Sequence, residues 1–392
     1  MKKTMNSQFR RIRQGALPLA VMMAAVSNVQ AGPTITYGEQ GFVTLNYAVQ
    51  MWGQYQDYTS NTDSGETTDL FLRRNRITLS GQYNDYVGFY AQLEAGNDSK
   101  EGVNDKNVFY RDAYLTLDWS DSVRFIAGRF KNTFTRENLE ACLEPLTLDR
   151  AERLAYTPFG GTRDTGVAMW GNMADAKFQY RVMVSDGREG DEVVEDSPRL
   201  TARAHWTFWD PEYDYGYRGT YLGTRKVLTI GAAYDMQNDV AYADYPSRTG
   251  ASDYEAWTVD AFMEYPTSQG TVTASAAYMD FSTDDAINGS PDPALPPTSE
   301  LDGYYVKAGY LLPNKVGVGR LQFFARYEDL DYGVDSGYYT NTWKSVGANY
   351  YINGQQLKVT FEYANVDYDK QHPTLQSLRD HDQVTLGLQL IF

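Results

Sequence analysis

The sequence offers few residue types for bond-making chemistry. It has three histidines, His205, His372 and His381, and one cysteine, Cys142. A single thiol can form neither an internal disulfide nor a cysteine-based metal site, and three scattered histidines leave little room for a His-rich centre. No metal or other cofactor is expected. The chain contains no G-x-S-x-G, no H-E-x-x-H and no C-x-x-C-H, so an activated serine, a zinc hydrolase site and a covalent c-type haem are not indicated. What the residues do support is electrostatic. Arg74, Arg76, Arg124, Lys177, Arg181, Arg203, Lys307, Arg326, Lys344 and Lys358 fall on the polar face of alternating segments, facing a smaller set of acids that includes Glu94, Asp112, Asp118, Asp260, Glu264, Glu328 and Glu362. Charges lining an aqueous passage raise the local counter-ion concentration and tune which ions enter. Arginine suits phosphate-like anions, because its planar donors can hold two oxygens at once.

The segments that carry these charges have a period of two. Leu200, Ala202, Ala204, Trp206 and Phe208 alternate with Thr201, Arg203, His205 and Thr207, and Val384, Leu386, Leu388, Leu390 and Phe392 alternate with Gln383, Thr385, Gly387, Gln389 and Ile391. A strand sends successive side chains to opposite faces, so each segment has one apolar and one polar face. A soluble sandwich would alternate too. A membrane barrel is favoured because the segments are about ten residues long, enough to cross a bilayer when tilted. Aromatics at Trp52, Tyr83, Trp119, Trp170, Trp206, Tyr265, Tyr310, Trp343 and Phe392 fit interface girdles, and short Asn/Asp/Gly turns alternate with longer connections. The fold class expected is all-β, a transmembrane antiparallel barrel of about 16 strands between residues 41 and 392. The connection 209–225 is too long for a turn on the side of the chain termini, and a different division there would give fourteen or eighteen strands.

Composition agrees. The 392 residues hold 35 Lys+Arg against 51 Asp+Glu. Mean hydropathy is −0.53, and no apolar run reaches the ~18–20 residues of a spanning helix. The acidic excess argues against a nucleic-acid partner. Residues 1–31 read as a secretory signal: Lys2, Lys3, Arg10, Arg11 and Arg13 precede a short apolar stretch from Gly15 to Val26, and Val29-Gln30-Ala31 fits a cleavage site. The remaining residues, 32–392, are expected to form one barrel domain. Acids cluster in connections, as at Asp57, Asp63, Glu66 and Asp69, at Glu189, Asp191, Glu192, Glu195 and Asp196, and at Asp284, Asp285 and Asp292. The 132–162 connection is unlike the others. Phe134, Leu139, Leu143, Leu146, Leu148 and Leu154 require a packing surface. An inward fold against the barrel wall would provide one, and a neighbouring subunit is the alternative. Cys142 lies in this connection and reads most simply as a small buried apolar residue.

Residues 128–170 resemble the phosphate-selective porin O and P family. The run Gly128-Arg129-Phe130-Lys131-Asn132-Thr133-Phe134 is similar to the family's G-x-F-K-x-P-F, with Thr133 where proline is common. Glu137-Asn138-Leu139, Asp149-Arg150-Ala151-Glu152-Arg153 and Gly161-Thr162-Arg163-Asp164-Thr165-Gly166-Val167 resemble the segments that follow it, and Arg73-Arg74-Asn75-Arg76 resembles the family's R-R-x-R strand. The resemblance implies a sixteen-stranded bacterial outer-membrane porin, often a homotrimer set in lipid and lipopolysaccharide, with its third loop in the lumen. It implies a passive channel for small hydrophilic solutes, favouring anions such as phosphate. By the same carry-over Arg129, Lys131, Arg150, Arg153 and Arg163 belong at or near the constriction, and Arg136 of the same loop joins them. Two other readings use the same strands: a barrel that sheathes a redox partner, and a general or cation-leaning porin.

Overall fold

In a computed structural model the chain is described over residues 32–58, 65–95, 108–151, 162–189, 193–244, 247–283, 300–332, 340–370 and 378–392. The expected signal segment 1–31 lies outside the described residues. Seventeen strands form one antiparallel sheet: β1 Thr34–Tyr37, β2 Gly41–Tyr58, β3 Gly65–Gln82, β4 Val87–Ala95, β5 Val108–Ser120, β6 Val123–Lys131, β7 Arg163–Met173, β8 Phe178–Ser185, β9 Arg199–Thr207, β10 Val227–Asp244, β11 Thr249–Thr267, β12 Gly270–Ser282, β13 Glu300–Val316, β14 Gly319–Tyr332, β15 Asn341–Asn353, β16 Leu357–Tyr368 and β17 His381–Ile391. One helical turn, α1, spans Arg136–Leu139. From β2 onward each strand pairs with the next, and β17 pairs with β2 from Ile391↔Ala48 to His381↔Tyr58. The result is a closed barrel of 16 strands. Closure leaves no open edge, which is the condition for strands to lie in lipid.

The direction of the alternation separates this barrel from a soluble sandwich. In β17, Gln383, Thr385 and Gln389 are buried, while Leu386, Leu388 and Leu390 are exposed. Apolar side chains point out and polar ones point in, as a lipid-embedded wall requires. The girdle splits accordingly. Tyr83, Trp119, Trp206, Tyr265, Tyr310 and Phe392 are exposed. Trp52 and Trp170 are buried instead, sharing parity with the inward Gln50, Gln54 and Asn172. Trp343 also sits inside, under the Arg326 guanidinium at 4.9 Å.

Two features escape a reading of the alternation. β1 adds a strand segment paired with the start of β2 (Thr34↔Thr44 to Tyr37↔Gly41). It takes up the edge of β2 where β17 stops, since Phe392 and Tyr47 exchange backbone hydrogen bonds of 2.7 and 3.0 Å while Leu45 N donates to Pro33 O at 3.1 Å. Residues 237–253 lack the alternation yet are largely strand, because β10 and β11 continue through them with a bulge between Gln237 and Ala241. Beyond the lipid, both faces of a strand meet polar surroundings, so the apolar alternation fades while the ladder continues.

The wall is uneven. Strands β6 and β9 have 9 residues and β8 has 8, against 18 for β2, β3 and β10 and 19 for β11. Nine residues at ~3.4 Å each, tilted by ~40°, rise about 23 Å, close to the apolar band of an outer-membrane barrel. The tight turns follow from residue type. Asn84 Oδ1 accepts hydrogen bonds from Tyr86 N (2.9 Å) and Val87 N (2.8 Å), closing the β3–β4 turn. The β7–β8 turn instead places Ala174, Asp175 and Ala176 at φ of 52°, 56° and 61°, a left-handed run without glycine.

Candidate functional site: the lumen charges and two internal segments

Residues 132–151 leave the end of β6 and are buried almost throughout. Their fold begins locally. Asn132 Oδ1 accepts from Phe134 N (2.9 Å), Thr135 Oγ1 caps α1 by accepting from Asn138 N (2.9 Å), and Asn138 Nδ2 donates to Asn132 O (2.8 Å) and Thr162 O (2.9 Å). The segment then meets inward residues of seven strands. Lys307 on β13 holds both carboxylate oxygens of Glu137 at 2.8 Å. Arg326 on β14 donates to Asp149 O and Arg150 O at 3.2 Å, and Asn349 on β15 to Leu146 O at 2.8 Å. Lys358 on β16 and Gln389 on β17 both donate to Leu143 O, at 3.4 and 2.9 Å. Arg203 on β9 reaches Phe134 O at 3.3 Å. On β3, Arg76 Nη1 lies 2.7 Å from Cys142 Sγ.

Glycines make room for this packing. A Cβ on Gly309 would lie 2.6 Å from Leu146 Cδ1, and one on Gly387 would lie 3.0 Å from Leu148 Cδ1. Leu148 packs with Trp52 and Phe71, and Phe134 joins an apolar cluster with Phe281, Tyr305 and Leu330. Apolar clusters thus accompany the hydrogen bonds between this segment and the strands. A β-bulge adds a further device. Gln50 pairs with Arg74 and Met51 with Leu72, so Arg73 is the extra residue. Both arginines then reach Asp149, at 2.9 Å from Arg73 and 2.8 Å from Arg74.

The expected site residues are placed as follows. Lys131 donates to Glu140 O at 2.7 Å. Arg136 forms a two-pronged pair with Glu212 at 2.8 and 2.9 Å. Arg150 donates to Asn138 O at 3.0 Å, and Arg163 holds Asp112 with two bonds of 3.1 Å. Arg153 lies outside the described residues. Arg129 is elsewhere. It is exposed, paired between Ala113 and Thr165 on the outward parity of Phe125 and Ala127, so the strand geometry turns it away from the interior. Of the wall residues, Arg76 pairs with Glu94 (2.9 Å), Arg124 with Asp118 (3.2 Å) and Asp121 (2.5 Å), Arg203 with Asp260 (2.6 Å), and Arg326 with Glu328 (3.2 Å) and Glu362 (3.5 Å). Lys177 belongs to the β7–β8 turn rather than to the wall, and Lys344 is exposed on the outer face, paired with Asp367. Among the described residues Lys131, Arg181 and Lys358 have oxygen partners but no ion-pair carboxylate. Sequence reasoning missed Arg199, which is clamped to Asp235, and Arg111, which lies 2.5 Å from Glu94. It also missed Glu212 and Tyr217, whose only signal was the unusual length of 209–225.

Charge burial shifts the ionisation of the segment's own groups. Burial opposes ionisation of Glu212, but the Arg136 guanidinium outweighs it and brings the carboxyl down to about 2. Asp149 is also depressed, burial being overridden by Arg74 and Arg73. Glu140 moves the other way. Burial raises it to about 7, although Lys307 stands 3.6 Å away and works against the shift. Cys142 is lowered well below an ordinary thiol, because Arg76, Arg74 and Arg150 together outweigh its burial.

Known proteins bear on this architecture. The model of the phosphate-selective porin O and P family matches residues 45–392. An uncharacterized protein of Aquifex aeolicus is 23% identical over 340 residues, covering 79% of this chain and 78% of its own. Among solved structures, the outer membrane channel DcaP of Acinetobacter baumannii superposes with a TM-score of 0.56 at 16% identity, covering 92% of this chain and 100% of that one. OmpF of Salmonella typhi, in complex with daunomycin, gives 0.57 at 16% identity, covering 91% and 99%. The trimer form of Vibrio cholerae OmpT gives 0.52 at 11%, covering 90% and 100%. A closed barrel with polar side chains inward and apolar ones outward, matched by the family model over nearly its whole length, is an outer-membrane channel for passive diffusion, and the chain belongs to the phosphate-selective porin O and P family.

Proposed function

We propose that this porin passes small hydrophilic solutes with a modest preference for anions, and that residues 132–151 form its constriction as the third extracellular loop. The observation that carries the reading is the set of contacts from that segment to inward residues of seven strands, from Arg76 on β3 to Gln389 on β17. Lys131, Arg136, Arg150, Arg153 and Arg163 supply its cations, with Arg74, Arg76, Arg181, Arg203, Lys307, Arg326 and Lys358 on the wall. Most of these charges are answered by carboxylates, which keeps the net field small. The modest preference rests on the cations left without one, Lys131, Arg181 and Lys358. Phosphate is the solute the family name points to. A sheath for a redox partner fits poorly, since the chain's own side chains occupy the interior.

The chain is exported through a leader at residues 1–31, and 32–392 form the barrel in the outer membrane, in contact with lipid and lipopolysaccharide. It assembles as a homotrimer, a reading supported by the trimeric OmpT among its structural likenesses. The short β6–β9 side is the wall that neighbouring copies would shield from lipid. The test is single-channel recording in a planar bilayer under a KCl gradient, before and after phosphate is added. Discrete steps with an anion-selective zero-current potential and phosphate block are expected. Cation selectivity would overturn the anion preference.

A further inference from the structure

The connection 209–225 joins β9 to β10 at the end of the barrel that carries both chain termini. A short turn would suffice there, yet these residues go inside, where Glu212, Tyr217 and Thr220 are buried. They meet residues 132–151, which enter from the opposite end. Ala141 N donates to Tyr217 O at 2.8 Å, Tyr217 N to Leu139 O at 3.2 Å, and Gly219 N to Glu144 O at 3.1 Å. The Arg136–Glu212 pair ties the same two segments. Gly219 permits the approach, because a Cβ there would lie 2.4 Å from Leu146 N.

At the junction the Tyr217 hydroxyl organises three inward side chains. It accepts from Arg181 at 2.7 Å and from Arg203 at 3.1 Å, and it lies 2.7 Å from His205 Nδ1. A hydroxyl has two acceptor sites and one proton, so it donates that proton to a neutral His205. Arg203 has Asp260 as its counter-charge. Arg181 has none among the described residues; its other hydrogen bond goes to Tyr215 O at 2.7 Å, and its guanidinium lies over the Tyr217 ring at 4.7 Å. The 209–225 connection thus covers a buried cation that no carboxylate of the described residues neutralises.

We infer that 209–225 is the second half of the constriction, and that Tyr217 sets how much of the Arg181 charge the pathway presents to a passing anion. The inference rests on the reading of the protein as a conducting channel. Two variants of the full chain test it in planar bilayers. Tyr217→Phe keeps the ring and removes the hydroxyl, freeing one arm of Arg181; the anion-to-cation permeability ratio is expected to rise at least about two-fold, as local charge sets counter-ion concentration. Arg218→Cys in a Cys142→Ser background places a thiol on the connection for an anionic methanethiosulfonate reagent, which is expected to lower conductance and shift the zero-current potential toward cations. Unchanged currents in both variants, whether the thiol is labelled or refuses label, overturn the inference while wild-type conduction leaves the channel standing. A silent wild-type protein would overturn both.

Discussion

Replacing Lys307 with Met tests whether ion pairing anchors residues 132–151. Lys307 Nζ is fully buried, 2.8 Å from both oxygens of Glu137 and 3.6 Å from Glu140. At an effective dielectric constant of ~20, charges ~3 Å apart attract by roughly 5 kcal/mol, and deleting one partner of a buried pair costs about 3–5 kcal/mol because the other is stranded. Each ~1.4 kcal/mol is tenfold in an equilibrium, so the docked segment loses a factor of about 100 or more. The β13 ladder continues through this position (Lys307↔Arg326 and Ser275↔Lys307), so the barrel is expected to stay closed while the segment loosens. Urea unfolding in detergent, read by the electrophoretic mobility of the folded barrel and by tryptophan fluorescence, gives the stability; proteolysis of residues 132–151 gives the docking. Adding Glu137→Gln removes the stranded charge and is expected to recover at least about 2 kcal/mol. A coupling below about 1 kcal/mol, with protease resistance unchanged, would refute the anchoring argument.

Gly387→Leu forces a side chain into the notch that seats Leu148 and is expected to cost about 1–3 kcal/mol, measured by the same urea series. Ala176→Gly relieves a left-handed residue in the β7–β8 turn and is expected to stabilise the barrel by about 1 kcal/mol. Acid acts through two opposed sets of groups. Glu212 is depressed to about 2, so its stabilisation is present above its ordinary value of 4.5 and is lost as pH falls toward 2. Glu140 is raised to about 7, so its contribution is complete below 4.5 and is lost as pH rises through 7. In a Cys142→Ser background, free of the thiol whose depressed ionisation adds stability as pH rises, protease resistance of residues 132–151 is expected to be greatest near pH 5 and to fall on both sides, and adding Glu140→Gln is expected to remove the alkaline fall.

The alternation of apolar and polar residues, taken with segment lengths near ten and the girdle aromatics, determined the barrel and the position of most of its wall strands, but not β1 or the outer parts of β10 and β11. That pattern is local, because lipid imposes the same demand on every strand. It also carried a warning at Arg129, which shares the outward parity of Phe125 and Ala127. Parity was harder to read in β6, where Ile126 and Phe130 point inward onto Trp170 and Tyr215. They pack on Ala168, Trp170, Met183 and Tyr114 of the wall and on Tyr215 of the 209–225 connection, and nothing local in that connection announces its part beyond its length. The partners of the buried charges were likewise decided by tertiary structure. Glu137 and Lys307 are 170 residues apart in the chain, and a bulge of one residue determines that Arg73 and Arg74 share Asp149. A period of two tells which side of the wall a residue faces. Which charge it meets across the lumen depends on strand stagger and closure, and these exist only once the sixteen strands have joined.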